Sequence, residues 1–106
     1  MAKYLLEASY TSEGAKGLLK DGGTKRRAAA EAALKSVGAR IEAFYYAFGE
    51  NDVIVLLDAP DHATVAAASV AINASGGVTT RTTVLMTPEE IDQAVKKTVS
   101  YTPPGR

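Results

Sequence analysis

The sequence contains no cysteine, which excludes disulfides, thiol nucleophiles and metal sites built on thiolates. It has one histidine, so a tight transition-metal site is not expected. The 12 basic and 12 acidic side chains cancel, and a net charge of zero gives no general attraction to nucleic acid or to an anionic membrane. We therefore predict no metal, no cofactor, no nucleic-acid partner and no membrane partner.

Long hydrophobic runs are also absent, and no segment approaches the roughly 20 apolar residues of a membrane helix. The first ten residues, MAKYLLEASY, hold a short apolar run that Glu7 interrupts, whereas a secretory signal needs a longer run and a small-residue cleavage site. These absences predict a soluble, cytoplasmic protein. The length of 106 residues fits one domain, which we place at residues 1–97, followed by a tail at residues 98–106.

The sequence does contain alternating strand and helix patterns. Runs rich in apolar, β-branched and aromatic residues predict strands at residues 3–10, 39–48, 52–58 and 78–86. Helices are predicted in SEGAKGLLKD, KRRAAAEAALKSV and HATVAAASVAINAS, and after the capping box TPEE. The order β, α, β, β, α, β is that of the ferredoxin-like α+β fold, here with an extra C-terminal helix. We expect a four-stranded antiparallel sheet in the order 4-1-3-2, with the helices on one face.

The sheet face opposite the helices is predicted to need a cover. With a three-residue turn at residues 49–51, Phe44, Tyr46 and Phe48 fall on this face. Its other large apolar members are Leu5, Ile54, Leu56 and Leu85. Such a face is too apolar to be left in water, and a second copy of the same face is the simplest cover. We therefore predict a homodimer, or a higher homo-oligomer, of the dimeric α+β barrel type.

Two charged residues, Glu7 and Arg81, fall on neighbouring strands of that face. One interpretation is a structural ion pair that fixes the register inside the barrel. The other is the polar centre of a small-ligand site with apolar surroundings. On the second interpretation Glu7, Arg81 and Tyr46 contact the ligand, and Phe44 and Phe48 form its walls.

Other candidate residues lie at helix starts. Lys25, Arg26 and Arg27 stand at a predicted helix N-terminus, where the helix dipole disfavours cations. A solvated cluster is one interpretation, and an anion site formed with the backbone of residues 22–23 is the other. His62 follows a predicted helix cap and is expected at the surface. As a general base it would need a pocket and a partner carboxylate, so the catalytic residues, if there are any, stay unassigned.

Three separated blocks, SYTSEGAKGLL, FYYAFGENDVIVLLDAP and RTTVLMTPEEID, together resemble the GYD domain family over about residues 3–95. The resemblance implies a ferredoxin-like fold and a dimeric barrel. It implies little about activity, because the family is largely uncharacterised. Gly49 and Asp52 match the glycine and the aspartate after which the family is named, and we interpret both as turn residues. Asn51 stands where the family usually has tyrosine.

Three functions are consistent with these features. The leading prediction is a small homo-oligomeric barrel protein that binds a small, partly apolar molecule, either between the sheet and the helices or on the open sheet face inside the barrel. The first alternative is a cofactor-independent barrel enzyme, similar to a monooxygenase or an isomerase. The second alternative is a structural or interaction module whose barrel is filled by its own side chains. Related barrel folds include cofactor-independent monooxygenases, stress-responsive barrels and small-molecule binders, so the fold by itself does not choose between these functions.

Overall fold

A computed structural model describes all 106 residues of the chain. The elements, in chain order, are β1 (Ala2–Tyr10), α1 (Ser12–Asp21), α2 (Gly23–Lys35), β2 (Arg40–Tyr46), β3 (Val53–Ala59), α3 (His62–Ala74), β4 (Val78–Leu85) and α4 (Pro88–Val95). The strands form one antiparallel sheet in the order β2-β3-β1-β4. This is the predicted order counted from the other edge, so the α+β ferredoxin-like fold is confirmed. None of the helices is both long and apolar enough to cross a bilayer.

The core lies between the sheet and helices α2 and α3. Side chains alternate between the two faces of a strand, so β1 directs Tyr4, Leu6 and Ala8 towards the helices. The complete set of buried apolar residues is Tyr4, Leu6, Ala8, Leu34, Ala39, Val53, Val55, Leu57, Ala59, Val65 and Ala68. Much of the helical contribution comes from small side chains, because α2 and α3 are rich in alanine. Such helices approach the sheet without filling all of the space above it.

Strand β2 departs from the predicted register. Ile41 pairs with Leu57, but Ala43 pairs with Leu56, so a β-bulge at Glu42 adds one residue to this strand. An extra residue moves every later side chain to the opposite face, because side chains alternate with a period of two. Phe44 and Tyr46 consequently lie on the helix-covered face, and their predicted placement on the open face is wrong.

The turn after β2 is also longer than predicted. Tyr46 pairs with Val53, so residues 47–52 form the connection in place of a three-residue turn. Phe48 lies in this loop and its side chain is fully exposed. The predicted position of Phe48 on a strand of the open face is therefore wrong as well. We call residues 47–52 the hairpin loop.

We call the face without helices the open sheet face. Apart from strand β2 and the hairpin loop, the large apolar residues on this face are those predicted from the sequence. Leu5 pairs with Leu56 on one side and with Thr83 on the other, and Glu7 pairs with Ile54 and Arg81. The full set is Lys3, Leu5, Glu7, Ser9, Arg40, Ala43, Tyr45, Ile54, Leu56, Asp58, Thr79, Arg81, Thr83 and Leu85. An apolar centre thus lies between charged groups at the two ends of the sheet.

Candidate functional site

A cleft of about 440 Å³ opens between the α1–α2 corner and the ends of β1 and β2. Its walls include Tyr10, Leu18, Tyr46, Phe48 and Asp52, and most of the lining is apolar. Small-molecule sites are clefts of roughly 300–1,000 Å³ with apolar walls and a few polar groups, and this cleft fits that description. We call it the helix-side cleft.

Tyr46 forms one wall of the cleft and is held by the start of α2. Its hydroxyl donates a hydrogen bond to the Gly23 carbonyl oxygen at 2.8 Å. Gly23 permits this approach, since a Cβ atom at that position would lie 3.0 Å from the Tyr46 ring. On its other side the Tyr46 ring meets Phe44 edge-on, with the ring centres 5.4 Å apart. Both aromatic rings are therefore fixed on the helix side by contacts that the bulge in β2 makes possible.

Asp52 ties the hairpin loop to β1 at the floor of the cleft. Its carboxylate accepts the Tyr10 N–H at 2.8 Å, and its own N–H donates to the Ala8 carbonyl oxygen at 2.9 Å. Asp52 lies in the hairpin loop, but its carboxylate satisfies an amide of β1 and not an amide of the turn. The residue that matches the family's aspartate thus positions the loop that carries Phe48.

Tyr10 contributes a hydroxyl group to the cleft, although no sequence pattern assigned it a role in binding. Burial raises the pKa of its phenol, and the neighbouring Tyr46 adds to the shift, while Arg26 opposes it. The Tyr10 hydroxyl therefore stays protonated at neutral pH and can donate a hydrogen bond to a bound molecule. The alternation in β1 places Tyr10 on the helix-covered face, but its position in a cleft depends on the hairpin loop.

A second cavity of about 140 Å³ lies beneath α2 and α3 and shares Tyr10 with the helix-side cleft. Its roof consists of small side chains, among them Ala29, Ala30 and Ala33, and Arg26 lies at its border. The alanine-rich face of α2 leaves this space open because methyl groups do not reach the sheet. Tyr10 consequently borders both the cleft and this second apolar cavity.

The three cations of the predicted anion site each lie beside a carboxylate. Lys25 and Arg26 approach Asp21 at 3.6 Å and 3.7 Å, and Arg27 binds Glu31 at 2.8 Å. Arg27 also lies over the Phe44 ring, 5.9 Å from its centre. These contacts explain how cations are tolerated at a helix start, since the carboxylates offset the unfavourable helix dipole.

Glu7 and Arg81 pair in register on the open sheet face, as predicted, but they form no ion pair with each other. Glu7 instead accepts a hydrogen bond from the Asn51 amide at 2.8 Å. Arg81 lies 3.9 Å from Glu50. Both residues thus engage the hairpin loop, and Asn51, which stands where the family usually has tyrosine, holds the loop against β1. The predicted structural ion pair is not formed.

A buried carboxylate lies at the other end of the open sheet face. Asp58 is 6% exposed and binds Lys3 at 3.0 Å and Arg40 at 3.1 Å. Lys3 also pairs with Glu42 at the bulge. The hydrogen bond from Arg40, followed by that from Lys3, lowers the pKa of Asp58. No pattern in the sequence pointed to this cluster, which the pairing of three strands brings together.

His62 is exposed, as predicted, but it is not free. Its Nδ1 atom lies 2.6 Å from the hydroxyl of Tyr4, a residue only 1% exposed. The two rings meet edge-on, with their centres 5.6 Å apart. His62 borders neither the helix-side cleft nor the cavity beneath α2 and α3. Its observed contact anchors the start of α3 to the centre of the sheet.

The fold and the cleft define a small ferredoxin-like α+β protein with an apolar, tyrosine-lined site on its helix side. The family model described as the GYD domain matches residues 4–95, which is most of the chain, and the chain belongs to the GYD domain family. No curated protein and no solved structure matches the chain in the corresponding comparisons.

Proposed function

We propose that this GYD-domain protein is a cytoplasmic homo-oligomer that binds a small, partly apolar molecule in the helix-side cleft. The observation that carries the proposal is the cleft itself, about 440 Å³ in volume, with apolar walls and two tyrosines at its edge. The sequence pattern placed the candidate ligand-binding residues on the open sheet face. The cleft is now the better location, because the bulge brings Tyr46 and Phe44 to the helix side.

The chemistry of the lining suggests the class of molecule. Leu18 and Phe48 offer apolar surface to a flat or aliphatic body. The Tyr10 hydroxyl, protonated at neutral pH as phenols are, is suited to donate to a carbonyl or carboxylate oxygen. Arg26, which lines the adjoining cavity, would favour the carboxylate. The proposed ligand is therefore a small apolar molecule with one acidic or carbonyl group.

Self-association is proposed from the open sheet face. Leu5, Ile54 and Leu56 point away from the helices and are only partly buried within one chain. A patch of this kind across a sheet centre is a common interaction surface, and a second copy provides an equally apolar counterpart. The resulting arrangement is the dimeric barrel that the resemblance to the family implied.

The cleft is tested with a fluorescent apolar anion, anilinonaphthalenesulfonate, titrated into the full-length protein. Ala15→Phe places a ring in the cleft, whose wall includes Ala15, so we expect probe affinity to fall about fivefold or more. Ala32→Phe adds the same ring on the exposed side of α2 and should leave affinity unchanged. If both variants bind the probe with equal affinity, the cleft is not the binding site.

Native mass spectrometry of protein purified from its source identifies the natural ligand. We expect an oligomer that carries an additional small mass, which is lost when the same sample is denatured. If the oligomer has only the mass of its chains, the result would favour a structural or interaction module whose barrel is filled by its own side chains.

A further inference from the structure

The last part of the chain, residues 86–101, leaves the body of the molecule. Within it, α4 makes no extensive contact with any other element, and none of its residues is buried. The molecule measures 57 × 32 × 23 Å, and its radius of gyration is 17.1 Å, against about 13 Å for a compact chain of this length. We call residues 86–101 the C-terminal arm.

The arm carries an apolar stripe that nothing covers within one chain. Ile91 and Val95 lie four residues apart on one side of α4 and expose 47% and 76% of their surfaces, and Val99 beyond the helix exposes 78%. The capping box and Pro88 define the start of α4 by local signals. A helix of only eight residues is nevertheless marginal in water by itself, so α4 needs a surface to pack on.

The open sheet face is the other uncovered apolar surface of the chain. Its central residues Leu5, Ile54 and Leu56 are only partly buried, and Tyr45 is 69% exposed. Within one molecule the arm and this face do not pack together. We propose that the two open sheet faces meet, as in the proposed dimer, and that the arm of each copy packs on the part of the partner's open sheet face that this contact leaves uncovered.

The sizes of the two surfaces favour this reciprocal arrangement. A stable interface needs roughly 800 Å² from each partner. Four strands about 4.8 Å apart and about 24 Å long give a face of roughly 19 by 24 Å, which is about half of that area. The eight residues of α4 span only about 12 Å, so the helix is also too small by itself. The sheet face and the arm together approach the size that a standard interface requires.

Two-fold symmetry would make the same contact occur twice in the dimer. If the arm of one copy contacts the face of the other, the symmetry axis repeats the same contact in the opposite direction. Each copy then both provides and receives an arm, so neither the arm nor the open sheet face is left to recruit a third chain. This inference rests on the self-association in the proposed function and adds the segment that holds the two copies together.

The arm is tested by sedimentation equilibrium of two full-length variants over a dilution series. Val95→Asp places a carboxylate in the apolar stripe and is expected to weaken the dimer about tenfold or more. Gln93→Asp places the same group on the polar side of the same helix and should leave the dimer constant unchanged. Circular dichroism checks that both variants keep the wild-type fold.

The partner surface is located by cross-linking, which the cysteine-free sequence makes straightforward. Val95→Cys carries a benzophenone label and is mixed with nitrogen-15-labelled wild-type protein before irradiation. We expect cross-links between chains of different isotopic mass, mapped to the open-face positions of β1, β3 or β4. Cross-links confined to the same chain, or directed to α1, α2 or α3 of the other chain, would overturn the proposal.

The two proposals fail in different ways. If the wild-type protein is monomeric even at the highest concentration measured, both the proposed self-association and the arm exchange are excluded. If the wild-type protein is a dimer but Val95→Asp and Gln93→Asp have the same dimer constant, only the arm exchange is excluded. Self-association through the sheet face is then retained.

Discussion

Gly14 illustrates how a single residue controls the packing of two elements. A Cβ atom added there would lie 1.8 Å from the Gly77 carbonyl oxygen, just before β4. The neighbouring Thr11 binds the same segment, with its N–H donating to Gly77 and its hydroxyl donating to Gly76. Gly17 is in the same helix, but a Cβ atom there would meet nothing within 4 Å. Identical residues three positions apart therefore have different structural roles.

This difference leads to a matched prediction. Gly14→Ala should lower the free energy of unfolding by about 2–3 kcal/mol, because overpacking forces the backbone to shift. Gly17→Ala should raise it by up to about 1 kcal/mol, since alanine favours the helix. Urea unfolding of both variants against wild type measures the two effects. Equal changes for both would mean that α1 does not approach β4 as closely as described.

Asp58 leads to a prediction about pH. Its pKa is lowered from the ordinary value of 3.8, first by Arg40 and then by Lys3. A carboxyl group with a lowered folded-state pKa stabilises the fold above its unfolded pKa, and the stabilisation disappears as the pH falls through the folded value. Asp58→Asn should cost about 1 kcal/mol at neutral pH, a modest figure because Arg40 and Lys3 are exposed to solvent.

The measurement is the unfolding free energy of wild type and Asp58→Asn between neutral pH and pH values well below 3.8. We expect the difference between them to be constant at neutral pH and to shrink only below that value. Asp92→Asn, in the C-terminal arm, serves as the control and should show no such difference. If the difference in unfolding free energy between wild type and Asp58→Asn persists at low pH, the ion pairs of Asp58 are not its cause.

At the scale of elements, strand β2 decides which face receives the aromatic residues. Its bulge at Glu42 turns Phe44 and Tyr46 towards the helices, where they pack against each other and border the two cavities. Without the bulge the same residues would lie on the open sheet face. One additional residue in an edge strand thus moves the aromatic surface of the protein from one side of the sheet to the other.

Deleting Glu42 tests this account of β2. Without the extra residue Ile41 and Ala43 keep their partners in β3, so the strand becomes regular and Phe44 stays on the helix side. The deletion should therefore change the free energy of unfolding by no more than about 1 kcal/mol. An alanine inserted between Ala43 and Phe44 moves Phe44 to the open sheet face and should cost about 3 kcal/mol or more, as expected for losing a packed phenylalanine. Urea unfolding measures both variants, and a deletion that costs as much as the insertion would contradict the role of the bulge.

At the scale of the whole molecule, the chain has two apolar regions with different environments. The helix side is covered by α2 and α3 and retains cavities, whereas the open sheet face and the C-terminal arm have no cover within one chain. We proposed that a ligand occupies the first region and a second copy the other. The two functions are therefore separable by mutation.

A substitution in the centre of the open sheet face tests this separation. Leu56→Asp should convert the dimer to a monomer, because it places a charge in the proposed interface. Val70→Asp makes the same kind of change at an exposed valine of α3 and should leave the molar mass unchanged. Light scattering coupled to size-exclusion chromatography measures both. An unchanged mass for Leu56→Asp, with the fold intact, would exclude this face from the interface.

Several features of the fold could be predicted from local signals in the sequence. The alternation of Tyr4, Leu6 and Ala8 shows which side of β1 is buried, because a strand has a period of two. The Thr87–Glu90 capping box marks the start of α4, because capping involves only neighbouring residues. The order of strands and helices was enough to predict the sheet order. The first two properties depend on short-range chemistry, and the sheet order follows from the fold type that this order of elements defines, so the sequence by itself determined all three.

The candidate site, by contrast, was decided by the tertiary structure. A bulge forms when one strand pairs with another, so no pattern within β2 alone revealed that Phe44 and Tyr46 face the helices. The cleft needs the hairpin loop, which Asp52 fixes to β1 through a contact between residues 42 positions apart. The space beside Tyr10 exists because the alanine side chains of α2 face the sheet there without reaching it. Each of these features depends on residues distant in the chain, which only the folded molecule brings together.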